Sequence, residues 1–195
     1  MLQNFCCDLF SQIKFANRFL DTEAEPLSLS ADGPFTTVDG VDCEMQESYP
    51  FSSMWHSHKS NGSALRYEVA WATRSNNIVW ANGPFPAGTC PDGKICRQCG
   101  FTDSLEPDET FLADLGYVGI PQCINKSTAD WEGLEEEHER LLARGESGNG
   151  RLKKFRVLSS VCRHKDPNFH GHCFHAVCCL VQISFKTGET ALFRA

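Results

Sequence analysis

Asp39 and Asp114 each close a short apolar run, Thr36-Thr37-Val38 and Phe111-Leu112-Ala113, and Glu146 is the single acid between residues 140 and 165. Carboxylates at strand ends converge where a site can form. Hard divalent cations such as Mg²⁺ and Mn²⁺ take oxygen ligands. Two such ions about 3.5–4 Å apart clamp the attacking and leaving oxygens of a phosphoryl transfer. Three carboxylates from two strands and one helix suffice to hold them. Asp and Glu are equally at home as helix caps and turn residues, so residue types alone leave both readings open.

The elements that would carry these acids follow from periodicity. Leu2, Cys6, Leu9, Ile13, Ala16 and Leu20 recur on one helical face, which needs a core or a partner. Residues 21–34 are acidic and small and read as a linker. Residues 36–42 form a strand candidate ending in acids, residues 48–64 a loop, and residues 65–72 a strand. Ser75-Asn76-Asn77 is a turn, after which Ile78-Val79-Trp80-Ala81 returns as the hairpin partner until Pro84 and Pro86 end it. Asp92 to Gly100 is a short helix with Gly100 as its stop. Residues 110–114 form a strand and residues 118–130 a loop. Trp131 to Leu142 is helical in composition, residues 146–158 continue as a basic helix, and residues 174–185 form a helix burying one face. Strand, hairpin, helix, strand and helices in this order make a layered α/β or α+β domain. The expected division is an amphipathic arm and linker over 1–30 and one domain over 31–195.

The eleven cysteines are odd in number, and a disulfide framework is a poor reading of them. Cys96-Arg97-Gln98-Cys99 is one CxxC pair, whereas a structural zinc site usually wants two. Cys162, His164, His170, His172, Cys173 and His175 form a second cluster whose spacings match no standard finger. A zinc-binding module built on these clusters is one alternative.

The formal charge is −7, which on average repels nucleic acid, yet residues 140–165 hold eight Lys and Arg against one acid. That segment suits a phosphate backbone, or else is a solvated helix face. No apolar run approaches the ~20 residues of a membrane span, and the N-terminus lacks the basic region of a signal peptide. The expectation is a soluble, intracellular chain with no membrane partner.

Five motifs in register carry a resemblance. Val38-Asp39-Gly40-Val41-Asp42-Cys43 resembles the strand holding the first acid of DDE-superfamily endonucleases of the Harbinger transposase type. Ser57-His58-Lys59 with Leu65-Arg66-Tyr67-Glu68-Val69 is similar to their second strand. Residues 77–88, ending Gly-Pro-Phe-Pro-Ala-Gly, resemble their third strand and turn. Leu112-Ala113-Asp114-Leu115-Gly116-Tyr117 resembles the strand of the second acid, and residues 144–155 the helix of the third. The resemblance implies a ribonuclease-H-like mixed sheet flanked by helices. It implies hydrolysis or strand transfer at DNA phosphodiesters with Mg²⁺ or Mn²⁺, in the nucleus. It assigns Asp39, Asp114 and Glu146 as catalytic and metal-binding residues, with Asp39 rather than Asp42 as the first acid. Arg144, Arg151, Lys153, Lys154 and Arg156 then lie where a DNA backbone must pass.

Three departures from the family pattern shape the expectations. About 35 residues precede the first acid, where the family usually has a helix-turn-helix region. A separate DNA-binding partner protein, engaged through the N-terminal helix, is therefore expected. Pro91-Asp92-Gly93 stands where the family has Ser-Asp-Leu. Gly145, Gly148 and Gly150 surround Glu146, and each interior glycine costs a helix about 1 kcal/mol relative to alanine. The expectation is a loose helix that larger residues at 145 and 148 would order. The alternative to an active enzyme is then a decayed, host-retained DNA-binding or interaction protein of the same fold.

Overall fold

Thr36–Glu44 (β1) and Gly62–Ala72 (β3), almost wholly buried, form two long central strands, antiparallel and in register from Thr36 opposite Ala72 to Glu44 opposite Ala64. The computed structural model describes residues 12–20, 34–128 and 135–187. Ile78–Pro86 (β4) pairs antiparallel with β3, and His56–Ser57 (β2) forms a short pair with Ser63 and Gly62. Phe111–Ala113 (β5) and Cys123–Ile124 (β6) add in parallel beside β1. The result is a six-stranded mixed sheet with helices Asp92–Gln98 (α1), Glu135–Leu152 (α2), Arg156–Ser159 (α3) and Pro167–Lys186 (α4). This is the expected α/β, ribonuclease-H-like arrangement.

Strand alternation divides the core into two layers. Val41, Cys43, Leu65, Tyr67, Val69 and Trp71 face Leu152 of α2 and Phe174, Val177, Cys178 and Val181 of α4. Val38, Ala70 and Ala72 face the other way, onto Cys96 of α1, Phe101, Phe111 and Tyr117. Tyr67 stacks on Phe174 at 3.8 Å, and its hydroxyl meets His170 Nδ1 at 2.7 Å. The described part of the N-terminal arm, a single 3-10 turn at Phe15–Phe19, lies on the second layer. Phe15 packs edge-on to Trp80 and Phe101. Arg18, held between the Phe15 and Phe19 rings, makes a buried bidentate bond to Glu109 at 2.7 and 2.9 Å. Most of the expected amphipathic helix and its linker fall outside the described residues.

Several boundaries differ from the sequence expectations. β4 continues through Pro84 to Pro86, which an edge strand tolerates because its outer N–H groups need no partner. β2 and β6, read as loop, are two residues long and too short to show a period. α2 runs unbroken from Glu135 to Leu152, uniting two separately expected helices. The basic segment then turns at Lys153–Phe155 before α3 returns Leu158 to the core. α4 starts at Pro167, with Asp166 capping Asn168 N at 2.9 Å, well before its apolar stripe begins.

The expectation of a loose helix around Glu146 is overturned. α2 passes through all three glycines without a break, and two of them are contact positions. A Cβ on Gly148 would lie 2.5 Å from the Trp71 ring, and one on Gly145 would lie 3.0 Å from Thr37 Oγ1. These glycines let α2 lie directly on β1 and β3. Larger residues there would wedge the helix off the sheet.

Candidate active site

β1 and β5 run parallel and pair only as far as Val38 opposite Ala113. The next residues on the two strands are Asp39 and Asp114. They therefore emerge together at the carboxyl ends of neighbouring parallel strands, where an open α/β sheet forms its crevice. Asp39 is half-buried and tightly held. Its Oδ1 accepts from Gly40 N at 2.7 Å and its Oδ2 from Asn149 Nδ2 at 2.8 Å, while Asn149 Oδ1 accepts from Trp71 Nε1 at 3.1 Å. Burial raises the Asp39 pKa, Lys59 and the Gly40 N–H oppose this, and the Asp114 charge reinforces it. Asp114 is exposed and also caps the turn at Leu115–Tyr117, accepting from Gly116 N at 2.8 Å. The two sequence readings of Asp114, turn residue and site residue, are thus compatible.

A third carboxylate comes from a residue that sequence reasoning passed over. Asp92, in the first turn of α1, approaches from the other face of the sheet through a gap at Gly40. A Cβ on Gly40 would fall 2.1 Å from Asp92 Oδ1, and one on Gly116 would fall 2.8 Å from Asp114 Oδ1 and 3.3 Å from Asp92 Oδ2. Only glycine at these two positions lets the acids crowd together. The Asp92 side chain is 9% exposed, yet its Oδ1 accepts no hydrogen bond. Burial raises the Asp92 pKa, Lys59 and Arg66 lower it, and Asp114 raises it again. The available signal was the Asp of Pro91-Asp92-Gly93. Gly93 also has a packing reason, since a Cβ there would meet the Gly116 carbonyl at 2.9 Å.

Glu146 is exposed on α2, and among the described residues its side chain has no hydrogen-bond or ion-pair partner. It stands three residues before Asn149, which places the two as neighbours on the helix surface. Among the described residues, no group of three or more His, Cys, Asp or Glu is gathered closely enough to hold a metal ion. The structure thus brings Asp114 into electrostatic range of both Asp39 and Asp92, while Glu146 stands exposed on α2.

Asp42 has a different task. Arg66 grips it with two bonds, at 2.7 and 2.8 Å, and the Ser57 hydroxyl donates a short hydrogen bond to it. Burial alone would raise the Asp42 pKa, but these donors more than offset it and hold it low. Ser57 Oγ in turn accepts from Lys59 N at 3.1 Å. This buried clamp presents the Lys59 side chain over the acids.

The basic segment separates by role. Arg144 donates to the Thr73 carbonyl at 2.7 Å, and Arg151 lies over the Phe185 ring. Lys153, Lys154 and Arg156 are exposed beyond the end of α2. The cysteines of the zinc alternative are placed unlike ligands. Cys96 is buried in the Phe101 layer, and among the described residues the cysteines and histidines form no group of three or more that could hold a metal ion.

A family model described as DDE superfamily endonuclease matches residues 38–182. The chain belongs to this superfamily. No curated protein and no solved structure matches it. The match runs from β1 to most of α4, begins one residue before Asp39 and takes in Asp92, Asp114 and Glu146. DDE superfamily endonucleases generally use divalent metals, and the acids here are of the type that holds one, though among the described residues they are not gathered into a closed site. The donors are hard carboxylate oxygens, Asp92 Oδ1 is buried without a hydrogen bond, and two glycines keep room for crowded acids. Among the described residues, no helix is long and apolar enough to cross a membrane.

Proposed function

We propose that the chain is a transposase-derived DNA endonuclease domain of the Harbinger type, cutting or transferring phosphodiesters through Asp39, Asp114 and Glu146. Asp92 joins them as a fourth metal-facing carboxylate. The observation carrying this reading is the meeting of Asp39, Asp92 and Asp114 at the open ends of β1 and β5. Burial is the main cause of the raised pKa values at Asp39 and Asp92, and the Asp114 charge adds to both a repulsion that a divalent cation would relieve. Mg²⁺ or Mn²⁺ bound there supplies activation of the attacking oxygen and stabilisation of the leaving one. The protein's own part is positional. Trp71 fixes Asn149, Asn149 fixes the Asp39 carboxylate, and the Gly116 N–H fixes Asp114. Glu146 supplies its carboxylate from the helix side when DNA and metal are in place. Lys153, Lys154 and Arg156 bind the backbone without reading sequence.

Nicking of supercoiled plasmid with Mg²⁺ or Mn²⁺ tests this. The native chain should nick, whereas Asp39→Asn and Asp114→Asn should lose the activity while keeping their melting temperature. Equal nicking by the native chain and Asp114→Asn would refute it.

One observation favours a second reading. Glu146 is solvent-exposed and unpartnered, as suits a protein that keeps the fold and DNA affinity without cutting. A native chain that binds both Mn²⁺ and duplex DNA but never nicks would establish this reading instead.

A further inference from the structure

Within the carboxylate cluster sits a cation that belongs to the protein. Lys59 Nζ donates to the Gly40 carbonyl at 3.3 Å, and lies 3.7 Å from Asp92 Oδ2 and 4.0 Å from Asp39 Oδ1. Asp39 and Asp92 come from opposite faces of the sheet, and Lys59 spans them across the gap at Gly40. Its backbone is fixed from beneath by the buried Ser57–Asp42–Arg66 clamp. Its side chain remains 49% exposed and so is free to swing. Asp92 Oδ1 accepts no hydrogen bond and faces Arg66 Nε at 3.4 Å, so Lys59 accounts for the Oδ2 side of that carboxylate alone.

We propose that Lys59 is an internal counter-cation that competes with divalent metal for the Asp39 and Asp92 oxygens and, once displaced, engages a DNA backbone phosphate. The inference rests on the metal-site reading above and goes beyond it by giving the site a built-in competitor. An ammonium and a divalent cation cannot share the same carboxylate oxygens at short range. Metal entry therefore drives Lys59 outward. An outward lysine, already half exposed, becomes available to a backbone phosphate. The site in this way links metal loading to DNA contact, so that each favours the other.

The test uses Lys59→Met, which keeps the aliphatic stem, and Lys59→Arg, which keeps the charge. Mn²⁺ affinity is measured without DNA by electron paramagnetic resonance of free Mn²⁺. Lys59→Met should bind Mn²⁺ more tightly than the native chain, by up to about fivefold, the factor expected for losing one partly exposed ion pair. Lys59→Arg should stay near the native value. With Mn²⁺ present, Lys59→Met should bind duplex DNA more weakly, with a salt slope smaller by about one. Unchanged or weaker Mn²⁺ binding by a folded Lys59→Met would overturn the inference while leaving the metal site intact. If neither the native chain nor Lys59→Met binds Mn²⁺, the metal-site reading itself fails and takes the inference with it. Circular dichroism of each variant establishes that it is folded.

Discussion

Gly148→Ala compared with Gly150→Ala isolates the close packing of α2 on the sheet. Both substitutions place the same methyl group in the same helix, so the helix-propensity gain of about 1 kcal/mol is common to both and cancels in the comparison. At Gly150 nothing lies within 4 Å of the new Cβ, so the gain stands alone. At Gly148 the new Cβ meets Trp71 Cε2 and Cζ2 at 2.5 Å. Carbon atoms prefer about 3.5–4.0 Å, so the ring must retreat by about 1 Å. Trp71 is 3% exposed, contacts Phe185, and holds Asn149 through Nε1, which leaves it little room. Overpacking of this kind costs about 1–3 kcal/mol. For a chain of this size each kcal/mol moves the melting temperature by about 2–4 °C. Calorimetry should therefore place Gly148→Ala below Gly150→Ala by about 2–12 °C, with Gly150→Ala above the native chain. Adding Trp71→Phe to Gly148→Ala should recover part of the loss, giving less than additive destabilisation. Equal stabilisation by the two alanines would refute the packing account and restore the view of these glycines as simple helix weakeners.

Three further outcomes follow from buried polar groups. Burial pushes the Glu68 pKa up to about 8, partly opposed by the Trp80 N–H and reinforced by Asp92. Since the folded value lies above the unfolded one, stability should fall as pH rises from about 4.5 toward 8, by roughly 1 kcal/mol per pH unit at most. Glu68→Gln should flatten that profile in melts taken across pH 5–9, and an unchanged slope would count against it. Asn149→Ala removes the donor to Asp39 and the acceptor for Trp71. It should cost about 1–3 kcal/mol in denaturant unfolding and weaken Mn²⁺ binding, and full retention of both would exclude the positioning role. Glu109→Gln leaves the Arg18 charge buried without its counter-ion. It should destabilise by about 3–5 kcal/mol in the same assay, and a change below about 1 kcal/mol, the worth of an exposed pair, would show that the pair is not buried in solution.

What was legible in the sequence was what neighbouring residues decide. The apolar runs of β1, β3 and β5 are long or bulky enough to declare strands, and Asp39 and Asp114 follow them directly in the chain. The role of Asp92 was not legible, because it depends on a missing Cβ at Gly40, on another strand and another face. Gly148 misled for the same reason. Helix propensity is local, whereas the Trp71 ring that requires glycine there comes from β3. The polar first turns of α4 hid its start, since His170 is buried by pairing with the Tyr67 hydroxyl rather than by apolarity. Glu146 was identified by motif, but its exposure depends on which face of α2 the Gly145, Gly148 and Asn149 contacts turn to the sheet.

The ion pair between Arg18 and Glu109 fastens the start of the chain to the approach of β5. Glu109 also accepts from Glu106 N at 2.8 Å, and it stands two residues before Phe111, the strand that ends in Asp114. Mechanical slack at the N-terminus is therefore transmitted along a single short strand to an acid of the cleft. Proteolytic clipping near residue 20 would loosen one wall of the candidate site while leaving its carboxylates chemically intact. The Arg18–Glu109 pair thus braces the approach to Asp114, and a loss of function in a trimmed chain need not signal damage to any carboxylate.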